Sequence, residues 1–492
     1  MRAGGTKSAA RPRRHRSTGE KTAASSRQRC ARANPVSEPL IRSEVEGLHW
    51  PGLPNLPGAH ILALLQQFEH SQWWPLATIR QRQRMQLESL LLHASASVPF
   101  YADRLERAGY RPDRPLSDEV WSAIAPLERA EVQAAGTALN SRRVPPTHGS
   151  VGSWSTSGST GRPVTILQTA LVRQVRRALT IRNQLWHGYE FEAKMGVIRN
   201  LPDGSAEYPE GLRLPDWGEV TQNVFVTGPS VSLSVSASTD QQIEWLERQQ
   251  PDYLHVFATV ALELLRHIRT QGGGPRRLRH MTTFAEMLTP ETRTLCRELW
   301  GIELADIYSG RDVGVIALQC PENEHYHVQS EGIFVEVLDE RDRPCAPGEV
   351  GRVVATPMHN FATPLIRYAN GDYAEVGEPC ACGRGLPVLT RILGRVRNML
   401  TLPDGRRIWP RLSETRYDEV APIRQYQVVQ KSRDRLEVRL AAERALTAAE
   451  EAKLGDLIRA RLGHRGFEFD FSYHDRIARS AGGKYEDFRS EI

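Results

Sequence analysis

Between residues 195 and 300 the chain alternates short β-rich runs with stretches of helical length: MGVIRN, DYLHVFATVALELLRHIRT, LRHMTTFAEML and TPETRTLCRELW. Strands and helices that follow one another in this way bury their apolar sides as a largely parallel sheet covered by helices, so an α/β core is predicted. From Gly332 the texture becomes short strands separated by turn dipeptides (GIFVEVLDERDRPCAPGEVGRVVATPM), which predicts a small antiparallel β unit. The last hundred residues mix the strands YQVVQ and RLEVRLAA with one helix, TAAEEAKLGDLIRARLG, and read as a separate α+β lid. Upstream, residues 54–108 carry a helical apolar pattern, with Leu87, Leu90, Leu91 and Leu92 set among Gln, Arg and Glu. The expected architecture is a large N-terminal α/β domain with layered β-sheets flanked by helices and a small β unit, plus a small mobile α+β C-terminal domain. The boundaries are drawn at 1–45 for a disordered basic tail, 46–393 for the large domain and 394–492 for the lid.

Net charge is +6 and the isoelectric point about 9.0. Much of the excess sits in the first 35 residues, where ten Arg and Lys face Glu20 alone. This Ala- and Ser-rich stretch has no apolar periodicity, as expected of a disordered tail or of translation from an upstream start. A transit peptide has a similar composition. A nucleic-acid-binding arm would want aromatic residues between the cations, and none is there. No run approaches the roughly 18 apolar residues of a membrane span, and no secretory signal core is present, so the cytoplasm is the expected compartment. Neither nucleic acid nor membrane is an expected partner.

Four segments carry chemistry. Thr156-Ser157-Gly158-Ser159-Thr160-Gly161-Arg162-Pro163 is a small-residue loop whose N–H groups and hydroxyls suit phosphate oxygens at close range; a flexible surface loop would look alike. In Arg367-Tyr368-Ala369-Asn370-Gly371-Asp372 the Asp follows a Gly turn and can accept two hydrogen bonds from ribose hydroxyls, or close an Asx turn. Gly394-Arg395-Val396-Arg397-Asn398-Met399 falls at the expected domain boundary. Near the C-terminus stands Gly482-Gly483-Lys484. Only six of the 64 basic residues are Lys, so a compact ammonium here is more informative than another Arg.

These segments, together with Ile307-Tyr308-Ser309-Gly310-Arg311-Asp312-Val313-Gly314, occur in the order and approximate spacing of the adenylate-forming superfamily. From about Trp73 to Ile492 the chain most resembles the phenylacetate–coenzyme A ligase family within it. The resemblance implies that the 156–161 loop holds ATP phosphates, Tyr308 stacks on adenine, Asp312 binds magnesium, and Asp372 binds the ribose. It brings Arg395 to the ribose or phosphates, makes Asn398 the hinge, and sets Lys484 against the carboxylate and α-phosphate. Negative charge built up by carboxylate attack on phosphorus would be offset by magnesium and Lys484. Three positions depart from the family. Gly usually follows the tyrosine, Ser or Thr then Glu stand where this chain has Arg311 and Asp312, and an acidic residue stands where it has Asn398. Arg311 sets a permanent charge beside the nucleotide, where it would bind phosphate or an anionic substrate.

Cys320-Pro-Glu-Asn-Glu-His325-Tyr-His327 and the later Cys380-Ala-Cys382 supply three thiols and a choice of histidines, the donor set of a closed, structural tetrahedral zinc site; unrelated free cysteines are the plainer alternative. The resemblance favours His327 over His325. Such a site would pin the β unit to the RYANGD segment.

His255, Phe257, Phe284 and Glu286 are expected to line the acid pocket and suit an aromatic or compact acid, although Phe257 and Phe284 also read as core residues. The expected activity is ATP-dependent conversion of a carboxylic acid to acyl-AMP with release of pyrophosphate. Transfer to coenzyme A would follow, or to an amine, a carrier protein or another nucleophile. A homodimer is compatible with this reading.

Overall fold

The computed structural model describes residues 39–155, 164–395, 398–410, 412, 415, 417–479 and 485–492. Residues 1–38 of the basic tail, the 156–163 loop, Val396, Arg397 and Lys484 lie outside the described residues.

The predicted parallel core is present. Strands Ser230–Ser234, Met195–Arg199, Tyr253–Phe257, His280–Phe284 and Leu304–Gly310 lie side by side in that order, all parallel. Their interiors are buried nearly end to end, as expected when both faces of a parallel sheet are covered. Helices Thr239–Gln249, Ala258–Gln271 and Pro290–Trp300 follow three of these strands and share one apolar cluster with Ile198, Leu254, Val256 and Met281. Local chemistry fixes their ends. Ser238 and Gln241 form a reciprocal capping box on the first. Thr289 caps the third, which begins with Pro290 and ends at Gly301 with φ +65°.

The antiparallel unit expected from Gly332 is also present, but it is no separate layer. Strands Ile333–Leu338, Val350–Pro357, Tyr368–Val376 and Val388–Arg395 form a meander. Val388–Arg395 then pairs with Tyr326–Val328, which joins Gly314–Gln319 and so the parallel strands, in a 13-stranded sheet. Sequence texture marks the change from parallel to antiparallel pairing, whereas continuity depends on the three-residue strand Tyr326–Val328, too short to show a pattern.

The RYANGD segment is fastened to the N-terminal helices. Tyr368 and Ala369 pair with Leu127 and Glu128. Arg367, in the left-handed region at φ +51°, is 2% exposed. It grips Glu336 with Nε at 3.1 Å and Nη2 at 3.0 Å, and donates Nη1 to the carbonyls of Ser122 and Ile124. A bulky residue at positive φ is costly, and this set of bonds holds it there.

After Arg395 the chain enters a second apolar cluster built on Ile423–Gln430, Arg435–Ala442, Glu468–Tyr473 and Phe488–Ser490 with the helix Ala448–Leu462 packed against them. This is the α+β arrangement expected of the last hundred residues. Among the described residues no helix is long and apolar enough to cross a membrane.

Candidate active site

The C-terminal ends of the parallel strands open on a cavity of about 2040 Å³, well above the few hundred Å³ that a single small ligand needs. This is the end at which α/β sheets bind ligands.

On one side of the cavity four residues from three segments converge. Tyr308, near the end of Leu304–Gly310, donates its hydroxyl to Asp372 Oδ2 at 3.0 Å. Asn370 Nδ2 donates to both the Tyr308 hydroxyl (2.9 Å) and Asp372 Oδ2 (3.0 Å), and its Oδ1 accepts from the Asp372 N–H. Arg395 Nε lies 3.4 Å from Asp372 Oδ1. Asp372 and Arg395 are 23 residues apart in sequence yet stand opposite one another in register. Each follows a glycine at positive φ, Gly371 at +86° and Gly394 at +81°, conformations that turn the strands and that a side chain would oppose. Burial first, and the adjacent Asp372 charge second, hold the Tyr308 hydroxyl well above its ordinary value. It stays a protonated donor.

Arg311 and Asp312 come next. Asp312 Oδ2 accepts from the Tyr368 hydroxyl at 3.0 Å and faces Arg129 at 3.7 Å. Its Oδ1 has no hydrogen bond among the described residues. Arg311 is exposed at the cavity rim. Asn398 donates to the Phe488 carbonyl at 3.3 Å, and its own Oδ1 is buried without a hydrogen bond among the described residues.

The four residues expected in the acid wall all border the cavity. His255, Phe257 and Phe284 line the cavity, with the two phenyl rings 5.0 Å apart. His255 is within 3.5 Å of the Tyr189 hydroxyl, which also contacts His280 Nδ1 (2.9 Å) and Thr282 Oγ1 (2.7 Å). Burial, reinforced by Arg199, pushes the His255 imidazole down to about 4, and burial with His187 and His255 pushes His280 down to about 3. Both stay neutral at pH 7. Glu286 also lines the cavity, but it is only 3% exposed and its carboxylate is taken by protein partners. Its Oε2 accepts from the Thr259 N–H (2.9 Å) and hydroxyl (2.6 Å), capping the helix Ala258–Gln271, while Oε1 accepts from the Tyr485 N–H (2.6 Å) beside Arg479 (3.5 Å). Arg479 also bonds Glu263 at 3.0 Å, and Gln425 donates to the same oxygen. Glu286 therefore ties the large α/β body to the C-terminal region at Tyr485, the residue that follows Lys484.

The thiols come together as the sequence predicts. Ligand atoms of Cys320, His327, Cys380 and Cys382 lie within 4.8 Å of one another. Cys320 Sγ and Cys380 Sγ are 3.8 Å apart, and Cys382 Sγ is 3.4 Å from His327 Nε2. A tetrahedron with about 2.3 Å metal–sulfur and 2.0–2.1 Å metal–nitrogen bonds has edges of about 3.8 and 3.6 Å. Backbone N–H groups of Glu322 and Cys382 and the Asn323 amide point at the sulfurs, as donors around thiolate ligands do. The donor set and spacing fit zinc, and His325 is outside the group.

Several contributors carry no mark in the sequence. Asn370 lies inside the RYANGD motif, where nothing local assigns it a role. Arg479 and Glu263 give no signal, because their partners are more than 160 residues away. Arg176 and Arg199 both line the cavity, and nothing local in the sequence marks either of them.

No family model matches the chain. The phenylacetate–coenzyme A ligase of Thermus thermophilus is 26% identical over 369 residues, covering 72% of this chain and 79% of that protein. The Escherichia coli K12 phenylacetate–coenzyme A ligase is 25% identical over 396 residues, covering 77% and 86%. Among solved structures, 2-hydroxyisobutyryl-CoA ligase in its postadenylation state with 2-HIB-AMP superposes with a TM-score of 0.66 at 18% identity, over 85% of this chain and 90% of that one. That superposition establishes a shared fold. With the ordered motifs and the Tyr308–Asn370–Asp372–Arg395 group, these likenesses make the chain similar to the phenylacetate–coenzyme A ligases in sequence and to an acyl-CoA ligase in fold.

Proposed function

We propose that the protein is an AMP-forming acid ligase, which uses ATP to convert a carboxylic acid to its acyl-AMP and then passes the acyl group to coenzyme A. The observation that carries this reading is the placement of the Tyr308–Asn370–Asp372–Arg395 group in the same cavity as His255 and Phe284. That cavity is large enough for a nucleotide and an acid together.

Asp372 would exchange its internal partners for the ribose hydroxyls, with Asn370 and Arg395 keeping it ionised and aimed. Tyr308 would present its ring to adenine while its hydroxyl stays tied to the same group. The 156–161 loop would take the phosphates and Lys484 the reacting carboxylate and α-phosphate; both follow from the motif resemblance and lie outside the described residues. Asp312 would hold magnesium through Oδ1, its Oδ2 being occupied by Tyr368, and the metal would neutralise charge on the phosphates. We read residues 394–492 as the lid, Asn398 as part of its hinge, and Glu286 with Arg479 as the latch that sets Tyr485 at the cavity. Cys320, His327, Cys380 and Cys382 would hold a zinc ion that fixes the loop between Tyr368–Val376 and Val388–Arg395, and with it the strand that bears Asp372.

The test is acid-dependent exchange between ATP and pyrophosphate over a panel of aryl, small aliphatic and dicarboxylic acids, with and without coenzyme A. Exchange with at least one acid, and a CoA thioester when CoA is added, is expected. Exchange without thioester would transfer the second half-reaction to an amine, a carrier protein or another nucleophile. No exchange with any acid would overturn the adenylation reading.

A further inference from the structure

One wall of the cavity carries a cluster of cations for which a simple aromatic acid has no use. Arg173, Arg176, Arg177, Thr180 and Gln184 of the helix Ala170–Trp186 line it, at the three- and four-residue spacing that places side chains on one face. Arg199, the last residue of Met195–Arg199, and Arg311 line it as well. Arg176, Arg199 and Arg311 are exposed to this space, and among the described residues their guanidiniums make no hydrogen bond or ion pair. The carboxylate that acts on Arg176 and Arg199 is Glu219, already engaged by Arg177. Burial pushes the Arg176 guanidinium below its ordinary value, and Arg311, Arg199 and Arg177 push it further against the opposing pull of Glu219. Three guanidiniums around one carboxylate are an unfavourable arrangement until an anion enters.

Position separates the candidate anions. The strand ending at Arg199 is three places along the sheet from Leu304–Gly310, which carries Tyr308. At about 4.8 Å per strand that is about 14 Å from the nucleotide side. Strand alternation puts Arg199 on the same sheet face as Val197, which stands opposite His255 in register. Arg199 thus belongs to the acid wall. We propose that the acid this protein activates carries a second anionic group, a carboxylate, received by Arg199, three strands from the nucleotide side, together with Arg176. Arg311 acts electrostatically on Arg176 and favours the same charge. This inference rests on the adenylation reading, and a dicarboxylic acid is the substrate class it names.

The experiment compares ATP–pyrophosphate exchange for matched pairs of acids, each dicarboxylic acid set against the monocarboxylic acid of equal length and ring content. Wild-type enzyme is expected to prefer the dicarboxylic member at least tenfold in kcat/KM. Arg199→Gln and Arg176→Gln should each erase that preference by raising the KM for the diacid about ten- to a hundredfold, with the KM for ATP unchanged; Arg199→Lys should retain part of it. Exchange that favours the monocarboxylic members would overturn the inference while leaving adenylation standing. A raised KM for ATP with every acid would assign the arginines to the nucleotide phosphates, and a raised KM for CoA alone would assign them to CoA; either result overturns it. No exchange by wild-type enzyme with any acid would remove the adenylation reading and the inference together.

Discussion

Glu286→Gln is the most informative single substitution outside the nucleotide group, because it changes one charge and hardly any volume. In the wild type, Oε2 satisfies Thr259 twice and Oε1 satisfies the Tyr485 N–H next to Arg479. A glutamine offers one acceptor. With its oxygen towards Thr259, its NH₂ faces the Tyr485 N–H, donor against donor. One charge-assisted bond worth about 1.5–3 kcal/mol is lost, and a buried N–H is left unsatisfied at about 1–3 kcal/mol. Part of this is offset, since Glu286 is held above the ordinary carboxylate range by burial and its desolvation penalty disappears with its charge. For the lid motion proposed above, a net loss of about 3 kcal/mol would shift the closed-to-open equilibrium about a hundredfold. The assay is ATP–pyrophosphate exchange at saturating ATP, paired with hydrogen exchange at the Tyr485 amide. Exchange rate and amide protection should both fall, while thermal stability of the large domain changes little. Wild-type turnover with wild-type protection at Tyr485 would refute the latch.

Arg367→Met should destabilise the fold by about 3–5 kcal/mol, because it leaves Glu336 buried without its partner; denaturant midpoints check this, and an unchanged midpoint would contradict it. Purified protein should contain about one zinc, and Cys382→Ser should lose it together with several degrees of thermal stability; metal-free protein of full stability would remove the zinc assignment. His280, pushed down to about 3, and His255, at about 4, are neutral in the fold but protonate near 6.5 when unfolded. The unfolded chain then binds more protons, so stability is full above about pH 6.5 and falls on acidification by about 1.4 kcal/mol per pH unit for each histidine. His280→Gln should flatten the melting temperature profile between pH 7 and 5, and an identical slope would count against it.

What is legible in the sequence divides along physical lines. Apolar texture reports which faces are buried, so the parallel core and the α+β character of the C-terminal region can be read directly. Motif order places Asp372, Arg395 and Tyr308, and the structure joins them because two positive-φ glycines turn neighbouring strands. The Cys/His group is legible because thiols are rare and their pairing chemistry is restrictive. Proximity to Phe284 in sequence suggests Glu286 for the acid wall, yet its carboxylate is taken by Thr259 and by Tyr485, the latter 199 residues away; no local pattern carries such a contact. Arginines on an amphipathic helix look alike whether they face water or a cavity, which conceals Arg176. The 13-stranded continuity of the sheet hangs on Tyr326–Val328, and three residues show no periodicity.

Whether this chain forms an acyl-AMP is decided by a single turnover of enzyme, ATP, magnesium and an acid without CoA, quenched and analysed for the mixed anhydride. Wild-type enzyme should yield stoichiometric acyl-AMP and pyrophosphate. Lys484→Ala should lower the rate at least about a hundredfold, as loss of a charge that stabilises the transition state does, with ATP binding retained. ATP hydrolysed to AMP or ADP without any acid-derived adenylate, or a Lys484→Ala rate equal to wild type, would contradict adenylation as described here.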